Sequence, residues 1–373
     1  MNLRRAVASR MEEAATTLLD SLDDAQRAAA SFDFPSDGER ERWFYTPTDH
    51  GGLPLAAMAS PQHRNTMRLI STGLSRAGYV TVAAIMGLEN VLDHTEGFTS
   101  GFGRDRGRDP LLYWISIFGS PGNPKWAWRF GGHHISLHFT IIDGEVASTT
   151  PCFLGADPAS APLLGPHLHR PLGSAEDLGR ELMHSLSDRQ REVASLSPVA
   201  PVDLVGVNRP ILTQGDTTLE LPLIWRGRLD DELHAMMTAA HQAAVDKSGV
   251  TPEVLAAVSF SSRPSGISAK TFDEDQQEIL RALLATYVGR IADDLADGQF
   301  AKFDGAALGS LSFAWAGGIE AGEPHYYRIQ GAQLFCEYDN TQRDVNHVHT
   351  VWRDLAADFA RDTLAEHYAR DHS

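Results

Sequence analysis

Two histidine-rich stretches that lie far apart in the chain carry the chemistry that this sequence suggests. The first stretch, residues 126–140, reads WAWRFGGHHISLHFT, and the second, residues 337–352, reads EYDNTQRDVNHVHTVW. Imidazole nitrogens combined with carboxylate oxygens are common ligands of Zn, Fe, Cu and Mn in proteins. We therefore predict that the fold brings the two stretches together to form a metal site.

The first stretch has the pattern of one long strand, 127–142, in which successive side chains alternate between two faces. This alternation places His134 and His138 on one face and His133 on the other. The Gly-Gly pair that precedes the two adjacent histidines permits a β-bulge, which would turn both of them to the same side. Either of these histidines can therefore supply a metal ligand.

The second stretch offers carboxylates and another pair of histidines. Glu337 and Asp339 share one face of a predicted strand, and His347 and His349 share a face of the next. The TQRDVN segment between them can close a hairpin, which would bring Glu337 or Asp339 close to the two imidazoles.

The combined set offers nitrogen and oxygen donors to a divalent Fe, Cu or Zn ion. Two histidines and one carboxylate from it would match the open triad of non-haem Fe(II) enzymes. The alternative is that these histidines act as acid–base groups, or as hydrogen-bonded core residues, without a metal. The predicted ligands are His133, His134, Glu337, His347 and His349.

Three further charged residues occur in apolar surroundings and are candidates for catalysis. Arg129 and Arg328 lie in predicted strands, where an arginine needs a structural carboxylate or an anionic substrate as its partner. Glu89 lies among apolar residues of a predicted helix, 75–93, and would serve as a general base if it is buried. The alternatives are a structural ion pair for each arginine and a surface position for Glu89.

Composition narrows the class of protein. The 373 residues include 49 acidic and 32 basic ones, and the formal net charge of −17 argues against nucleic-acid binding. Only Cys152 and Cys336 are present, which excludes a disulfide framework and favours a reducing compartment. The sequence contains no apolar run long enough for a membrane helix and no secretory signal at its start. We therefore expect a cytoplasmic protein with neither nucleic-acid nor membrane partners.

The predicted strands fall into two regions, and helices lie before and between them. Apolar runs and the Asp143-Gly144 turn signal indicate strands over 111–154, and similar runs indicate strands over 309–352. We predict an α+β fold in which helices pack around a mixed or antiparallel sheet built from both regions.

The helical pattern is clearest over 273–297, where apolar residues recur at helical spacing. The sequence shows no obvious linker. We therefore predict one α+β domain, 1–373, with an N-terminal helical region, 1–95, packed on it.

The two histidine-rich stretches also resemble domain-of-unknown-function family 3500. His138 departs from the family pattern, which has asparagine there, so the resemblance favours His133 and His134 as ligands. It implies no established reaction. Together with helix 75–93, the resembling segments cover most of the chain; they are YWISIFGSP (113–121), WAWRFGGHHISLHFTIIDG (126–144), PCFLGADPA (151–159), EDLGRELMHSL (176–186) and HYYRIQGAQLFCEYDNTQRDVNHVHTVWRD (325–354).

From these features we expect a metal-dependent enzyme that acts on a small molecule. Histidine-rich ligation favours a redox metal and oxygen-dependent oxidation, with Arg129 or Arg328 orienting an anionic substrate. One alternative is a zinc-dependent hydrolase in which Glu89 or Glu337 is the base. Another is a metal- or small-molecule-binding protein without turnover. The sequence has no phosphate-binding loop, dinucleotide fingerprint or nucleophile elbow, and it does not indicate an oligomeric state.

Overall fold

A computed structural model describes residues 2–35, 37–101, 105–164, 167–227 and 229–365. The chain forms two compact units, each made of segments that are not contiguous in sequence. The first unit contains Met1–Phe153, Gly289–Gln299 and Asp354–Ser373, and the second contains Leu154–Val288 and Phe300–Arg353.

The helices and strands of both units follow one another along the chain. The helices are α1 (Leu3–Asp20), α2 (Asp24–Ala30), α3 (Asp37–Arg40), α4 (Ser60–Gly73), α5 (Arg76–Thr95), α6 (Gly173–Ser185), α7 (Asp188–Ala194), α8 (Asp231–Ser248), α9 (Pro252–Val258), α10 (Glu274–Val288) and α11 (Asp293–Phe300). The strands are β1 (Ser31–Phe32), β2 (Leu53–Pro54), β3 (Tyr113–Phe118), β4 (Lys125–Gly132), β5 (Ile135–Ile142), β6 (Glu145–Ser148), β7 (Cys152–Ala156), β8 (Ala161–Leu164), β9 (His167–His169), β10 (Ser195–Ser197), β11 (Ile267–Ser268), β12 (Ser312–Gly317), β13 (His325–Gln330), β14 (Leu334–Gln342) and β15 (His347–Asp354).

In the first unit, β3, β4 and β5 form an antiparallel meander, and β1 joins the edge of β3 in parallel. Every residue of β3 and β5 is buried, as expected for strands covered on both faces. Helix α5 begins where the Ser75 hydroxyl accepts a hydrogen bond from the N–H of Gly78, which satisfies one of the free donors of its first turn. Its buried stripe is apolar apart from Glu89 and Asp93.

In the second unit, the strand order is β15-β14-β13-β12-β10, with β11 beside β12. The β12, β13 and β14 pairings are antiparallel, whereas β10 pairs with β12 in parallel. Helices α6 and α10 pack against this sheet through Tyr327, whose hydroxyl lies 2.7 Å from that of Tyr287 and donates to the carbonyl of Ala175. These strands carry the residues of the candidate site.

The predicted α+β class is confirmed, with helices and with strands that pair in both parallel and antiparallel fashion. The single long helix expected over 273–297 is wrong, because α10 ends at Val288 and α11 begins at Asp293. Between them the chain turns to pair with the segment before α5: the Arg290 carbonyl accepts from the N–H of Ser75, and the N–H of Ala292 donates to Gly73. The prediction of one domain stays a prediction. In the described part of the chain, no helix is long and apolar enough to cross a membrane.

Gly179 marks the closest approach of α6 to the second sheet, and its substitution tests this packing. A Cβ atom at Gly179 would lie 2.5 Å from the ring of Tyr327, which two hydrogen bonds hold in place. We expect Gly179→Ala to lower the free energy of unfolding by about 1–3 kcal/mol, the usual cost of overpacking, as measured by urea denaturation.

Gly87 provides the control, because it lies inside α5 and a Cβ there would meet no atom within 4 Å. Gly87→Ala should stabilise the protein by up to about 1 kcal/mol through helix propensity. A stabilising effect at both positions would show that α6 does not pack as described.

Candidate metal centre

Three buried side chains of the second unit form the group best suited to hold a metal ion. Asp339 lies on β14, His349 lies on β15, and Asp203 lies in the irregular segment that follows β10. One ligand atom from each side chain lies within 4.8 Å of the other two. Two carboxylate oxygens and one imidazole nitrogen at this spacing can bind one divalent cation.

Hydrogen bonds orient each member of this group. Nδ1 of His349 lies 2.9 Å from Oδ1 of Asp203, and the same oxygen accepts from the N–H of Leu204 at 2.7 Å. The hydroxyl of Thr341 lies 3.1 Å from both carboxylate oxygens of Asp339. Partners of this kind are typical around metal ligands, because they fix ring and carboxylate orientation.

Two carboxylates buried together repel each other in the absence of a cation. Burial raises the pKa of Asp339 well above its ordinary value, and the charge of Asp203 raises it further. Asp339 therefore holds a proton at pH values where an exposed aspartate is ionised. A divalent cation would replace that proton and offset both the repulsion and the loss of hydration.

His347 lies beside this group on the same strand as His349, with ring centroids 4.6 Å apart. Its Nδ1 is 3.8 Å from Oδ2 of Asp157, and the same oxygen lies 2.8 Å from Nε of Arg343. The two histidines of the second stretch therefore lie together. His349 is close to Asp203, and His347 is close to Asp157.

Glu337 is not one of the three ligand candidates, but it supports the segment that carries Asp203. Its carboxylate accepts hydrogen bonds from the N–H groups of Val205 at 3.2 Å and Gly206 at 2.6 Å, and from the hydroxyl of Tyr326. Burial raises the pKa of Glu337, and the nearby Arg328 guanidinium opposes this effect. Glu337 thus anchors the backbone directly after Asp203.

Gly206 is required for this anchoring. A Cβ atom there would lie 2.7 Å from the ring of Phe335 and 2.8 Å from Oε2 of Glu337. Arg353 donates to the Gly206 carbonyl at 3.0 Å, so the segment is held on both sides of the peptide.

Protein acceptors surround Arg328 in the second unit. Arg328 donates to the hydroxyl of Tyr326 at 2.9 Å and to the carbonyls of Val258 and Ser259, and it lies 3.7 Å from Glu337. These contacts favour the structural ion pair that the sequence left open over contact with a substrate.

Arg129 has a similar environment in the first unit. It donates to the carbonyl and carboxylate of Glu39 at 2.8 Å, to the carbonyl of His50 at 2.8 Å and to the hydroxyl of Ser116 at 3.2 Å. It also donates to the carbonyl of Arg42. A structural role is favoured here too.

His133 and His134 form a turn, and the long strand predicted over 127–142 is wrong at this point. Gly132 pairs with Ile135, so the two histidines are the loop of a tight hairpin between β4 and β5. His134 has a φ of 64°, which histidine tolerates better than most residues, and its N–H donates to the Tyr45 carbonyl at 2.8 Å. The expected sharing of one face by His134 and His138 therefore fails.

The turn places His133 against Glu89. Nδ1 of His133 lies 2.6 Å from Oε1 of Glu89, and the His133 carbonyl accepts from the hydroxyl of Tyr113 at 2.9 Å. The His134 ring stacks on that of His133 with centroids 3.8 Å apart. Glu89 is buried, as a general base would require, and it orients one imidazole.

His138 is a core residue of β5. Its Nε2 lies 3.0 Å from the hydroxyl of Ser136, and its ring packs edge-on against Trp43 and Phe359. This environment agrees with the preference for His133 and His134 over His138.

The predicted ligand set contains residues of both units, and its convergence stays a prediction. Sequence reasoning considered Asp339 as an alternative to Glu337, and it missed Asp203. The segment that carries Asp203 reads PVDLVGV; a lone carboxylate among apolar residues was the available signal, because such a residue is buried only with a partner.

Replacing Asp339 tests whether its burial destabilises the metal-free protein. Below the pKa of an unfolded aspartate, Asp339 is protonated in both states and carries no penalty. As pH rises toward the raised folded pKa, the unfolded state loses its proton first, so the free energy of unfolding falls. In chelator-treated protein at about pH 8, we expect Asp339→Asn to raise the free energy of unfolding, because the neutral amide avoids the cost of burying a charge beside Asp203.

Urea denaturation at about pH 8 and about pH 4 measures this effect, and the difference between variant and parent should shrink at the lower pH. Asp294→Asn, at a partly exposed, ion-paired position of α11, is the control and should show no comparable gain. A loss of stability of the same size at both pH values would contradict the proposed burial of Asp339.

The Glu89 contact also fixes where the His133 proton lies. Because the carboxylate accepts, Nδ1 of His133 should carry a proton in both the neutral and the charged ring, which heteronuclear NMR of histidine-labelled protein detects. Glu89→Leu removes the acceptor and should release the ring from this tautomer. An Nδ1 without a proton in the parent protein at neutral pH would rule out the pair as described.

Comparison with known proteins gives a family and no reaction. No curated protein matches the chain, and no solved structure matches it. A family model described as a protein of unknown function (DUF3500) matches residues 4–361, which include both histidine-rich stretches and all three residues of the candidate metal centre. The chain therefore belongs to the DUF3500 family.

Proposed function

We propose that this chain is a metal-dependent enzyme that acts on a small molecule, with Asp203, Asp339 and His349 as ligands of its metal ion. The observation that carries the proposal is the spacing of these three buried side chains, whose ligand atoms lie within 4.8 Å of one another. Burying two carboxylates side by side is costly unless a cation compensates them.

The donor set favours a metal that acts as a Lewis acid. Two carboxylates and one imidazole are a harder set than the histidine-rich one expected from sequence, and they suit Zn, Mn or Fe(II) better than Cu. Such a metal would polarise a carbonyl or phosphoryl group and lower the pKa of a bound water. Metal-dependent hydrolysis of a small molecule is therefore the reaction that we favour.

Oxygen-dependent oxidation is the second candidate, and one observation favours it. His347 packs against His349, which contacts Asp203, and two histidines with one carboxylate are the ligands of many non-haem Fe(II) enzymes. A third possibility is a metal-binding protein without turnover, which predicts bound metal and no rate on any substrate.

The cytoplasmic location predicted from sequence belongs to the same proposal. Both cysteines of the chain are free and buried, as is common in reducing compartments.

The deciding experiment is elemental mass spectrometry on tag-free protein, alone and after reconstitution with Zn, Mn or Fe(II). We expect one metal ion per chain in the parent, and a loss of tenfold or more in metal affinity, about 1.4 kcal/mol or more, in Asp203→Asn and His349→Ala. His234→Ala, at an exposed position of α8, should keep the full metal content. Circular dichroism would confirm that each variant is folded.

The identity of the metal separates the two reactions. Zn or Mn would direct a screen of esters, amides and phosphate esters, whereas Fe would direct a screen under oxygen. Full metal content in both ligand variants, or no metal in the reconstituted parent, would overturn the proposed centre. His133→Ala and His134→Ala measure separately whether the first stretch contributes ligands, as the sequence predicts.

A further inference from the structure

The second unit contains a cleft of about 860 Å³, a size typical of small-molecule sites. Its walls come from the segment after β10, from α8, from the loop before β13 and from the turn between β14 and β15. All of these segments belong to the unit that carries the candidate metal centre.

Three residues that line the cleft lead directly to the proposed ligands. Thr341 donates to Asp339, His347 packs against His349, and Val202 precedes Asp203 in the chain. A molecule in the cleft would therefore be separated from each of the three ligands by a single lining residue.

The turn on one side of the cleft has an unusual backbone. Arg343, Asp344 and Val345 have φ values of 48°, 53° and 62°, and a β-branched residue in this region is a true outlier. Strain of this kind is concentrated at ligand sites. Asn346 pins the turn, since its side chain and carbonyl accept from the N–H groups of Ser160 at 2.8 Å and Ala159 at 2.9 Å.

The cleft has an apolar side and a cationic side. Pro198, Val199, Ala200 and Ala244 supply apolar surface, whereas Lys247 and Arg343 supply positive charge. Arg343 is 43% exposed and pairs with Asp157 at 2.8 Å, so a bound anion would share this arginine with Asp157.

The acids of the lining are less suited to bind a ligand. The carboxylate of Glu323 accepts from the N–H of Glu320 at 3.0 Å, and Asp344 is 89% exposed in its pair with Lys247. Solvent screens a surface pair of this kind, so an incoming anion can replace Asp344 at Lys247.

We propose that this cleft binds a small amphipathic carboxylate, with its apolar body against the Pro198–Ala200 wall and its anionic group at Arg343 and Lys247. Such a molecule would be the substrate class of the enzyme proposed above. That last step rests on the proposed function, whereas binding in the cleft does not.

Three probes that share an apolar body test the proposal: 4-phenylbutanoate, 4-phenylbutanol and 4-phenylbutylamine. Saturation-transfer NMR on the full chain would give their affinities in the presence of a chelator and again after metal reconstitution. We expect the carboxylate to bind most tightly. Arg343→Gln should weaken it about fivefold, the upper end for an exposed ion pair, and should leave the alcohol unaffected.

Matched variants control for general effects. Arg281→Gln removes a similarly exposed, ion-paired arginine from α10 and should change nothing. Ala244→Trp fills the cleft from an exposed position of α8 and should abolish binding of all three probes, whereas Ala239→Trp, exposed on the same helix outside the lining, should not.

Each outcome decides one part of the proposal. Equal or tighter binding of the amine or the alcohol would overturn the anionic assignment. Binding that survives Ala244→Trp, or no binding of any probe, would overturn the cleft as the ligand site. The chelator-treated protein is tested first, so the two proposals can fail separately. Carboxylate binding without metal uptake would support the cleft and contradict the metal centre. Metal uptake without carboxylate binding would contradict only the cleft.

Discussion

The burial of Asp203 next to Asp339 is the constraint on which the second unit depends. Two carboxylates in a buried position lose hydration and repel each other, and the raised pKa of Asp339 expresses both costs. A chain that needed only stability would place apolar or neutral residues there. The hydrogen bonds from Leu204 and Thr341 lower this cost without removing it, which is the pattern expected of a site kept for its function.

A third buried acid, Glu337, holds the segment that carries Asp203 in place. Glu337 binds two consecutive N–H groups just after Asp203, and Arg328 and Tyr326 satisfy the rest of its carboxylate. The segment around Asp203 belongs to no regular strand or helix. These contacts therefore fix its backbone position, as hydrogen bonds between strands do for Asp339 and His349. Glu337, predicted from the sequence as a metal ligand, and Arg328, predicted as a catalytic residue, thus support the segment that carries Asp203.

Sequence patterns predicted the parts of the fold that depend on local chemistry. The apolar run that became β3 and the Asp143-Gly144 turn before β6 are correct, because strand burial and positive φ impose strong local preferences on residue type. The turn at His133 was missed, since two histidines give no such signal and the flanking Gly-Gly pair suggested a bulge instead.

Asp203 was missed for a different reason. Its partners Asp339 and His349 lie more than a hundred residues away in the sequence, and periodicity carries no information about contacts at that separation. The split of the predicted helix 273–297 has the same origin, since the pairing of Arg290 with Ser75 outweighed helix propensity.

Two hairpins of this chain place strained backbone beside titratable side chains. In the first unit, His134 takes a positive φ at the turn that sets His133 against Glu89; in the second unit, three consecutive residues do so in the turn before His347. Glycine or asparagine would make either turn at lower cost, yet the chain has histidine, arginine, aspartate and valine there. Each turn is held from outside, by Tyr45 in one case and by contacts to Asn346 in the other. Strain that survives because its surroundings enforce it points to side chains needed at those positions, and the second turn forms one wall of the proposed ligand cleft.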